Sequence, residues 1–400
     1  MNILFLTNYY GLHGSSIDLL TYAKHLKKNN HKVFFVGGDG DIREAFKEIG
    51  DGIYVYHAPP HLPSIRRILL LKKLIKAWNV DIIIGVGKFL ILESQTASLL
   101  FKNKHPVNII NFSPRHHHWE KHPCWHIPMV GSLAINCQYW RDRTISEYRW
   151  PEGRLYLLSA RYDVPETIRK LPDIGNRKKV LFVRRLDFPK YKSVLSSLDQ
   201  IGKWDIWHKW SVEIAGGGTH ERLVLDEIER IKSRYPEANI TFLGRRTDVA
   251  ELMKAADIVI GSERVAVEAM AQGCITILAD DDGLIDVITP ENIEKYSYDN
   301  FIGFANEACD YREIKIKLFA LLANETEING VVAGNFDFIK KHLDIKVGIK
   351  ILTEIVQKSY ESSFARMEVP INALRILKAW AGVYIYLIKD RTLRSLWNQK

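Results

Sequence analysis

The chain has 400 residues, 46% of them hydrophobic and 26% charged, a composition typical of globular proteins that excludes disorder and fibrous repeats. The length predicts two domains. A formal net charge of +9 is compatible with three kinds of anionic partner: a nucleic acid, a membrane surface or a small substrate.

The first 150 residues alternate predicted strands and helices. Near-continuous apolar runs predict strands at 2–7, 32–37, 52–56, 81–86 and 107–112. Helical spacing of apolar residues predicts helices at 17–28, 41–49 and 64–78. This alternation is typical of a parallel sheet covered by helices on both faces.

The same pattern starts again after the polar stretch 171–177. Strands are predicted at 178–183, 212–215, 239–243, 258–260 and 275–279, and helices at 221–234, 249–256 and 264–272. The sequence therefore predicts an α/β fold with two doubly wound domains, residues 1–165 and 172–345, and a helical extension at 346–400. Ligands of such sheets bind beyond the carboxyl ends of the strands, so the residues after each strand form the candidate site.

A turn rich in glycine and serine follows the first predicted strand. Gly14 permits a close approach of the backbone to a ligand, and Ser15 or Ser16 can cap the next helix. A capped turn with no further role is an equally good interpretation.

The predicted helix at 64–78 has basic residues beside apolar ones; they are Arg66, Arg67, Lys72, Lys73 and Lys76. Such a helix can lie on an anionic membrane surface, and the tail at 371–397 repeats the pattern. An ordinary outer helix with a solvated basic face is the alternative.

The segment 113–128 is rich in histidine and contains His116, His117, His118, His122 and His126. Three of them have helical spacing, but Pro123 argues against a continuous helix that could present them to a metal. A second acidic segment, 280–282, resembles a metal-binding DxD motif, although its place after a strand and before Gly283 argues against that role. We predict no metal and no other cofactor.

The segment 257–283 gives the sharpest chemical signal. A strand ends at Ile260, and a helix opens near Arg264. The unpaired amides of a helix N-terminus bind phosphate oxygens, and Arg264 adds positive charge. Glu268, one turn further, can accept hydrogen bonds from vicinal sugar hydroxyls. A plain strand–helix unit with a solvated glutamate is the alternative.

This segment resembles the donor-site motif of retaining GT-B glycosyltransferases of family 4 (glycosyl transferases group 1). RRLDFPK at 184–190 is similar to that family's Gly-Arg-Leu-x-x-x-Lys segment, and VEIAGGG at 212–218 to its strand and glycine turn. The stretch 240–262 is similar to the part of the family that carries the nucleotide-base loop. The resemblance covers about residues 178–290.

The resemblance implies a GT-B fold, with two Rossmann-like domains facing a cleft and additional C-terminal helices. It implies transfer of a sugar from a nucleoside-diphosphate sugar to a carbohydrate or lipid-linked acceptor. Arg185 and Lys190 would contact the diphosphate, and His116, or its neighbour His117, the donor sugar. The other implied donor contacts are Gly14, Ser15, Gly217, Ser262, Glu263, Arg264, Val265, Ala266 and Glu268.

The chain departs from the family pattern at two positions. Arg184 stands where glycine is usual, and Ile260 stands where the family has the first of two glutamates. Ser262 and Glu263 are the candidate substitutes for it in contacts to the transferred sugar. The missing glutamate leaves a non-catalytic sugar-nucleotide-binding subunit as an alternative, and a sugar-nucleotide epimerase shares the architecture.

The surplus positive charge lies at the two ends of the chain. Residues 1–150 contain 19 Lys and Arg against 11 Asp and Glu, and residues 361–400 contain 7 against 3, whereas 151–360 contain 30 against 33. No nucleic-acid-binding module is recognisable. An anionic membrane or acceptor is therefore the better prediction than nucleic acid.

The cysteines are few and widely spaced, which predicts a reducing compartment; they are Cys124, Cys137, Cys274 and Cys309. The first ten residues lack the basic region of a signal peptide. The apolar stretch at 379–388 is shorter than the roughly 20 residues that span a bilayer. We expect a cytoplasmic protein, either free or peripheral on the inner face of the cell membrane.

Overall fold

The computed structural model describes residues 1–57, 64–86, 88–99, 108–113, 130–148, 152–159, 161–168, 178–303, 310–361, 377 and 380–381. The chain divides into two compact units. Unit 1 contains residues 1–161 and 345–400, and unit 2 contains residues 162–344. The segment after residue 345, which the sequence sets apart as an extension, thus belongs to unit 1.

In the described part of unit 1, a parallel sheet has the strand order β3-β2-β1-β4-β5-β6-β7. The strands are β1 (Asn2–Tyr9), β2 (Lys32–Gly38), β3 (Gly52–Tyr56), β4 (Ile82–Gly85), β5 (Asn108–Ser113), β6 (Val130–Ile135) and β7 (Leu155–Leu157). The helices are α1 (Gly14–Lys28), α2 (Arg43–Ile49), α3 (Ile65–Ala77), α4 (Lys88–Leu99), α5 (Gln138–Tyr148) and, after unit 2, α13 (Ile345–Glu361).

Alternate residues of β1 pack on opposite faces of this sheet. Leu4 and Leu6 belong to a buried cluster with α3 and α4, whereas Ile3 and Phe5 belong to one with α1 and α13. Burying one such side chain contributes about 1.5–3 kcal/mol. Since both faces of the sheet are covered, β1 is apolar along nearly its whole length.

In unit 2, the sheet has the strand order β10-β9-β8-β11-β12-β13, with β13 antiparallel to β12. The strands are β8 (Lys179–Val183), β9 (Ser211–Ala215), β10 (Asn239–Gly244), β11 (Ile258–Gly261), β12 (Ile275–Asp280) and β13 (Gly283–Val287). The helices are α6 (Tyr191–Gly202), α7 (Glu221–Arg234), α8 (Val249–Ala255), α9 (Arg264–Ala271), α10 (Ile293–Ser297), α11 (Tyr311–Leu322) and α12 (Glu325–His342).

The first strand of each unit lies inside its sheet, with later strands added on both sides. In unit 1, β1 pairs with β2 and β4, and in unit 2, β8 pairs with β9 and β11. The predicted α/β fold with two doubly wound parallel sheets is confirmed.

Two of the cysteines, Cys137 and Cys274, are buried and form no disulfide bond, whereas Cys124 and Cys309 lie outside the described residues. Within the described part of the chain, the search for a helix long and apolar enough to cross a membrane finds none.

Candidate functional site

The parallel strands of unit 2 bring four polar segments together where the strands end. Residues 184–190 follow β8 and residues 216–218 follow β9, while 262–263 lead from β11 into α9 and 281–282 turn from β12 into β13. These four strands are neighbours in the order β9-β8-β11-β12. We call this region the carboxyl edge of unit 2. It is where open α/β sheets bind their ligands.

Helix α9 begins directly after β11. A Cβ added to Gly261 would lie 2.4 Å from Cγ1 of Val265, so the tight turn requires glycine. Glu263 adopts φ 56° and ψ −126°, an unusual conformation that costs about 1–3 kcal/mol. Its backbone N–H donates to the carbonyl oxygen of Phe301 over 2.9 Å, which holds the turn. The first turn of α9 therefore lies at the carboxyl edge, where its amides and dipole favour an anion.

Arg264 and Glu268 form an ion pair along the first turns of α9. Nε of Arg264 donates to Oε1 of Glu268 over 2.6 Å, and the guanidinium lies 5.1 Å from the ring centroid of Tyr162. The glutamate side chain keeps 33% of its surface exposed. The pair fixes the orientation of a carboxylate that can still reach a ligand.

Lys190 and Arg185 also have carboxylate partners. Nζ of Lys190 donates to Oε1 of Glu263 over 3.3 Å, and Nε of Arg185 lies 3.2 Å from Oδ2 of Asp187. The backbone N–H of Thr219 donates to Asp187 over 3.0 Å and is the main cause that lowers the pKa of this carboxyl. Arg185 is 57% exposed, so its planar donor group is open to an anionic ligand.

The sequence did not predict the contacts that the Arg184 side chain makes. Its Nη1 donates to Oγ of Ser262, and its Nη2 lies 3.5 Å from Oδ1 of Asp281. Only 12% of the side chain is exposed. The guanidinium thus reaches from the end of β8 across the end of β11 to the β12–β13 turn. The sequence indicated a special role for this residue only by having arginine where the family pattern has glycine.

The glycine turn after β9 packs against the backbone that carries these arginines. A Cβ on Gly216 would lie 1.9 Å from the carbonyl oxygen of Arg184, and one on Gly218 would lie 2.4 Å from the carbonyl carbon of Leu186. At Gly217 a Cβ would lie 3.1 Å from Cβ of Arg245. Glycine is required here because two backbone segments touch.

The acidic segment 280–282 forms the turn between β12 and β13. Asp280 pairs with Gly283, and its Oδ1 accepts a hydrogen bond from the backbone N–H of Asp282 over 2.9 Å. Burial raises the pKa of Asp280, and the neighbouring carboxylates add to the rise. Among the described residues no group of acidic, histidine or cysteine side chains has an arrangement that could hold a metal ion.

Two further predicted donor residues, Val265 and Ala266, have side chains that pack into unit 2. Ala266 is fully buried. Only the backbone of Ala266 can therefore serve a ligand, whereas Val265 is partly exposed.

In unit 1, the turn after β1 differs from the prediction. The cap of α1 is His13, whose ring accepts from the backbone N–H of Ser16 over 3.4 Å. The hydroxyl of Ser16 instead donates to the carbonyl oxygen of Tyr9, and that of Ser15 bonds the His13 ring. The prediction that Ser15 or Ser16 caps the helix was wrong, because both hydroxyls bond within the turn. A Cβ on Gly14 would meet nothing within 4 Å.

Helix α3 is amphipathic as predicted, but Arg67 does not belong to its basic face. Nε and Nη2 of Arg67 donate to the carboxylate of Glu93 over 2.5 and 2.7 Å, and both side chains are buried. Burial raises the pKa of Glu93, while the arginine opposes the rise. The predicted sugar contact His116, with its neighbour His117 and the rest of the histidine segment, lies outside the described residues.

Part of the chain matches a known protein family. Residues 163–328, which lie within unit 2, match the model of the family "Glycosyl transferases group 1". This part of the chain is therefore similar to the glycosyl transferases group 1 family. The match confirms the predicted resemblance and the prediction of a glycosyltransferase. A search of curated proteins finds no match.

Solved structures resemble about nine tenths of the chain. A glycosyltransferase from Rickettsia africae ESF-5 has a TM-score of 0.68 at 13% identity, over 90% of this chain and 99% of that one. The Anabaena protein HepE, in complex with UDP and glucose, has a TM-score of 0.68 at 15% identity, over 89% and 99%. The lipopolysaccharide outer core galactosyltransferase WaaB reaches 0.61 at 15% identity, over the same shares. The predicted GT-B fold is confirmed.

Proposed function

We propose that the chain transfers a sugar, with retention of configuration, from a nucleoside-diphosphate sugar to a carbohydrate or lipid-linked acceptor in the synthesis of a cell-surface polysaccharide or glycolipid. The observation that carries this proposal is a set of basic side chains at the carboxyl edge of unit 2, which contains the segment similar to the glycosyl transferases group 1 family. Arg185 and Lys190 follow β8, and Arg264 begins α9, which follows the adjacent strand β11.

The chemistry of the reaction needs positive charge at this place. Breaking the bond between the sugar and the diphosphate leaves negative charge on the departing phosphate, and fixed cations aimed at it stabilise the transition state without a metal. Arg185 provides a planar pair of donors and Lys190 a point charge. On donor binding, the two side chains would exchange Asp187 and Glu263 for phosphate oxygens.

Glu268 supplies a second recognition element. Its partly exposed carboxylate, held by Arg264, can accept hydrogen bonds from the two ribose hydroxyls of a nucleotide. The backbone at Gly217 and at 262–266 would complete the donor site. Contacts from Gly14, Ser15 and His116 stay predictions of the resemblance.

A donor screen tests the proposal. The purified protein is incubated with UDP-, GDP- and ADP-sugars, with and without saccharide or lipid-linked acceptors, and nucleotide release and sugar products are measured. We expect release that depends on one nucleotide and increases with an acceptor. Failure to bind any nucleotide sugar would refute the proposal. Binding without transfer identifies a non-catalytic subunit, and a changed sugar without an acceptor identifies an epimerase.

Variants of the site sharpen this screen. Glu268→Ala and Arg185→Ala should each raise the donor Kd at least about tenfold, because each removes a charge-assisted hydrogen bond to the ligand. Arg222→Ala is the matched control, since Arg222 is exposed on α7 and pairs with Asp226 within that helix. Donor affinity equal to that of the control variant would contradict these two assignments.

We also propose that the protein works in the cytoplasm, on the inner face of the cell membrane, where a lipid-linked acceptor would be found. The support is the outer face of α3. Ile65 and Leu69 are 74% and 57% exposed one turn apart, and the exposed Lys73 and Lys76 continue this face. Helix α3 contains no acidic residue. Apolar insertion and basic charge, at about 1 kcal/mol per residue, both favour an anionic bilayer.

Vesicle sedimentation tests this location. Vesicles with phosphatidylserine should carry down the protein at low salt and release it at high salt, whereas neutral vesicles should not. Ile65→Ser with Leu69→Ser should reduce binding. Ile316→Ser is the matched control, because Ile316 is 70% exposed on α11 of the other unit. Equal binding to both kinds of vesicle, or none to either, would contradict the proposal.

A further inference from the structure

The order of strands at the carboxyl edge suggests where each part of a donor lies. The resemblance places the nucleotide base near the loop after β10, at one end of the sheet order β10-β9-β8-β11-β12-β13. The cations for the diphosphate follow β8 and open α9 after β11. The transferred sugar then falls next to β12, where the β12–β13 turn carries Asp281 and Asp282. This reasoning rests on the proposed function.

Arg184 is held at that end of the site. Its guanidinium bonds Ser262, which is 5% exposed, and faces Asp281 at 3.5 Å. A guanidinium beside a carboxylate offers donors and acceptors together, which is what the hydroxyl groups of a sugar require. A glycine at position 184 could provide neither the hydrogen bonds nor the charge.

The local charge indicates which sugars fit. The positive charge of Arg184 is offset by Asp281, which is 42% exposed and lies at the tip of the turn next to Asp282. A sugar that carries its own carboxylate would meet these aspartates, and like charges at close range are strongly unfavourable. A sugar with hydroxyl groups alone meets no such penalty.

We propose that Arg184, Ser262 and Asp281 form the sugar-binding end of the donor site and select a neutral sugar over a uronate. Arg184 replaces the glycine of the family pattern at this position. Ser262 lies two residues after Ile260, which stands where that pattern has its first glutamate.

Binding measurements by calorimetry test this assignment without a need for turnover. The probes are UDP, UDP-glucose and UDP-glucuronate, or GDP, GDP-mannose and GDP-mannuronate if the screen selects guanosine. The wild-type protein should bind the neutral sugar nucleotide at least about tenfold more tightly than the uronate. Asp281→Asn should reduce this ratio several-fold, because Arg184 is then uncompensated. Asp226→Asn on α7 is the control.

Arg184→Gly and the milder Arg184→Gln should weaken binding of the neutral sugar nucleotide. Their affinity for the nucleoside diphosphate without a sugar, UDP or GDP, should stay within about twofold of the wild-type value. The inference alone would be overturned if Asp281→Asn left the ratio of neutral to uronate affinity unchanged. It would also be overturned if both Arg184 variants lost affinity equally for the sugar nucleotide and for the nucleoside diphosphate. A wild-type preference for the uronate would overturn it too. Failure of the wild-type protein to bind any nucleotide sugar of the donor screen would instead defeat the proposed function.

Discussion

Gly216→Ala should damage both the stability and the activity of the protein. The glycine does not have a positive φ, so space rather than conformation is the obstacle. An added Cβ would lie 1.9 Å from the carbonyl oxygen of Arg184, whereas ordinary contacts begin at 3.4 Å, so the two backbones must separate by about 1.5 Å. Neither side can rotate away, because both are main chain.

The separation has a cost that can be estimated from the structure. The N–H of Arg184 donates to the carbonyl oxygen of Ala215 over 3.1 Å, and that of Gly216 donates to Gly244 over 2.8 Å. Overpacking that forces a backbone shift costs about 1–3 kcal/mol, and the lengthening of these two hydrogen bonds is part of that cost. We expect Tm to fall by about 5 °C, the shift that roughly 2 kcal/mol gives in a domain of this size.

The catalytic effect should be larger than the loss of stability. The displaced segment carries Arg185 and Lys190, and a misplacement of about 1 Å can cost roughly a hundredfold in rate. Thermal unfolding measures the loss of stability, and donor turnover at a temperature well below Tm measures the catalytic effect. Gly330→Ala on α12 is the control: its Cβ meets nothing within 4 Å, and it should gain about 0.5–1 kcal/mol of stability with unchanged turnover. A Gly216→Ala protein as stable and active as the wild type would refute the reasoning.

Two further substitutions test other parts of the structure. Glu93→Gln should lower the free energy of unfolding by about 3–5 kcal/mol, because it leaves the buried guanidinium of Arg67 without a counter-charge; a urea titration that shows a loss below about 1 kcal/mol would contradict this. Asp280→Asn should raise stability near pH 7. Since the folded protein raises the pKa of Asp280, ionisation opposes folding. The gain in stability should therefore be present above the pKa of the folded protein. It should vanish below a pH of about 3.9, where the carboxyl is protonated in both the folded and the unfolded state. An equal gain at pH 7 and below pH of about 3.9 would contradict this.

Regular amphipathic or apolar patterns predicted much of the fold. The bounds of β3 and α7 agree with the prediction, since β3 begins at a glycine and α7 has a clear apolar stripe. Helix α4 was missed because the described side chains of its inner turns, from Leu90 to Gln95, are all buried, so its sequence shows no polar face. A helix covered on all sides has no periodic pattern to recognise.

The candidate site shows the same limit more sharply. The family resemblance singled out Arg185 and Lys190, and the predicted strand–helix junction singled out Arg264. Neither could show that each of these side chains already has a carboxylate partner. Arg67 was counted on a basic helix face because its partner, Glu93, lies 26 residues away in the sequence. Pairing of this kind depends on tertiary packing, which a local pattern does not contain.

The first and last residues of unit 2 lie next to each other. The N–H of Tyr162 donates to the carbonyl oxygen of Leu343 over 3.2 Å, and Tyr162 forms a parallel bridge with Asp344. A segment whose ends meet can be exchanged for another of the same fold without opening a gap in the chain around it. Unit 2 is thus an insertion within the sequence of unit 1, and its design permits exchange as a whole. Chimaeras joined at 161/162 and 344/345 offer a route to new donor preferences on an unchanged partner unit.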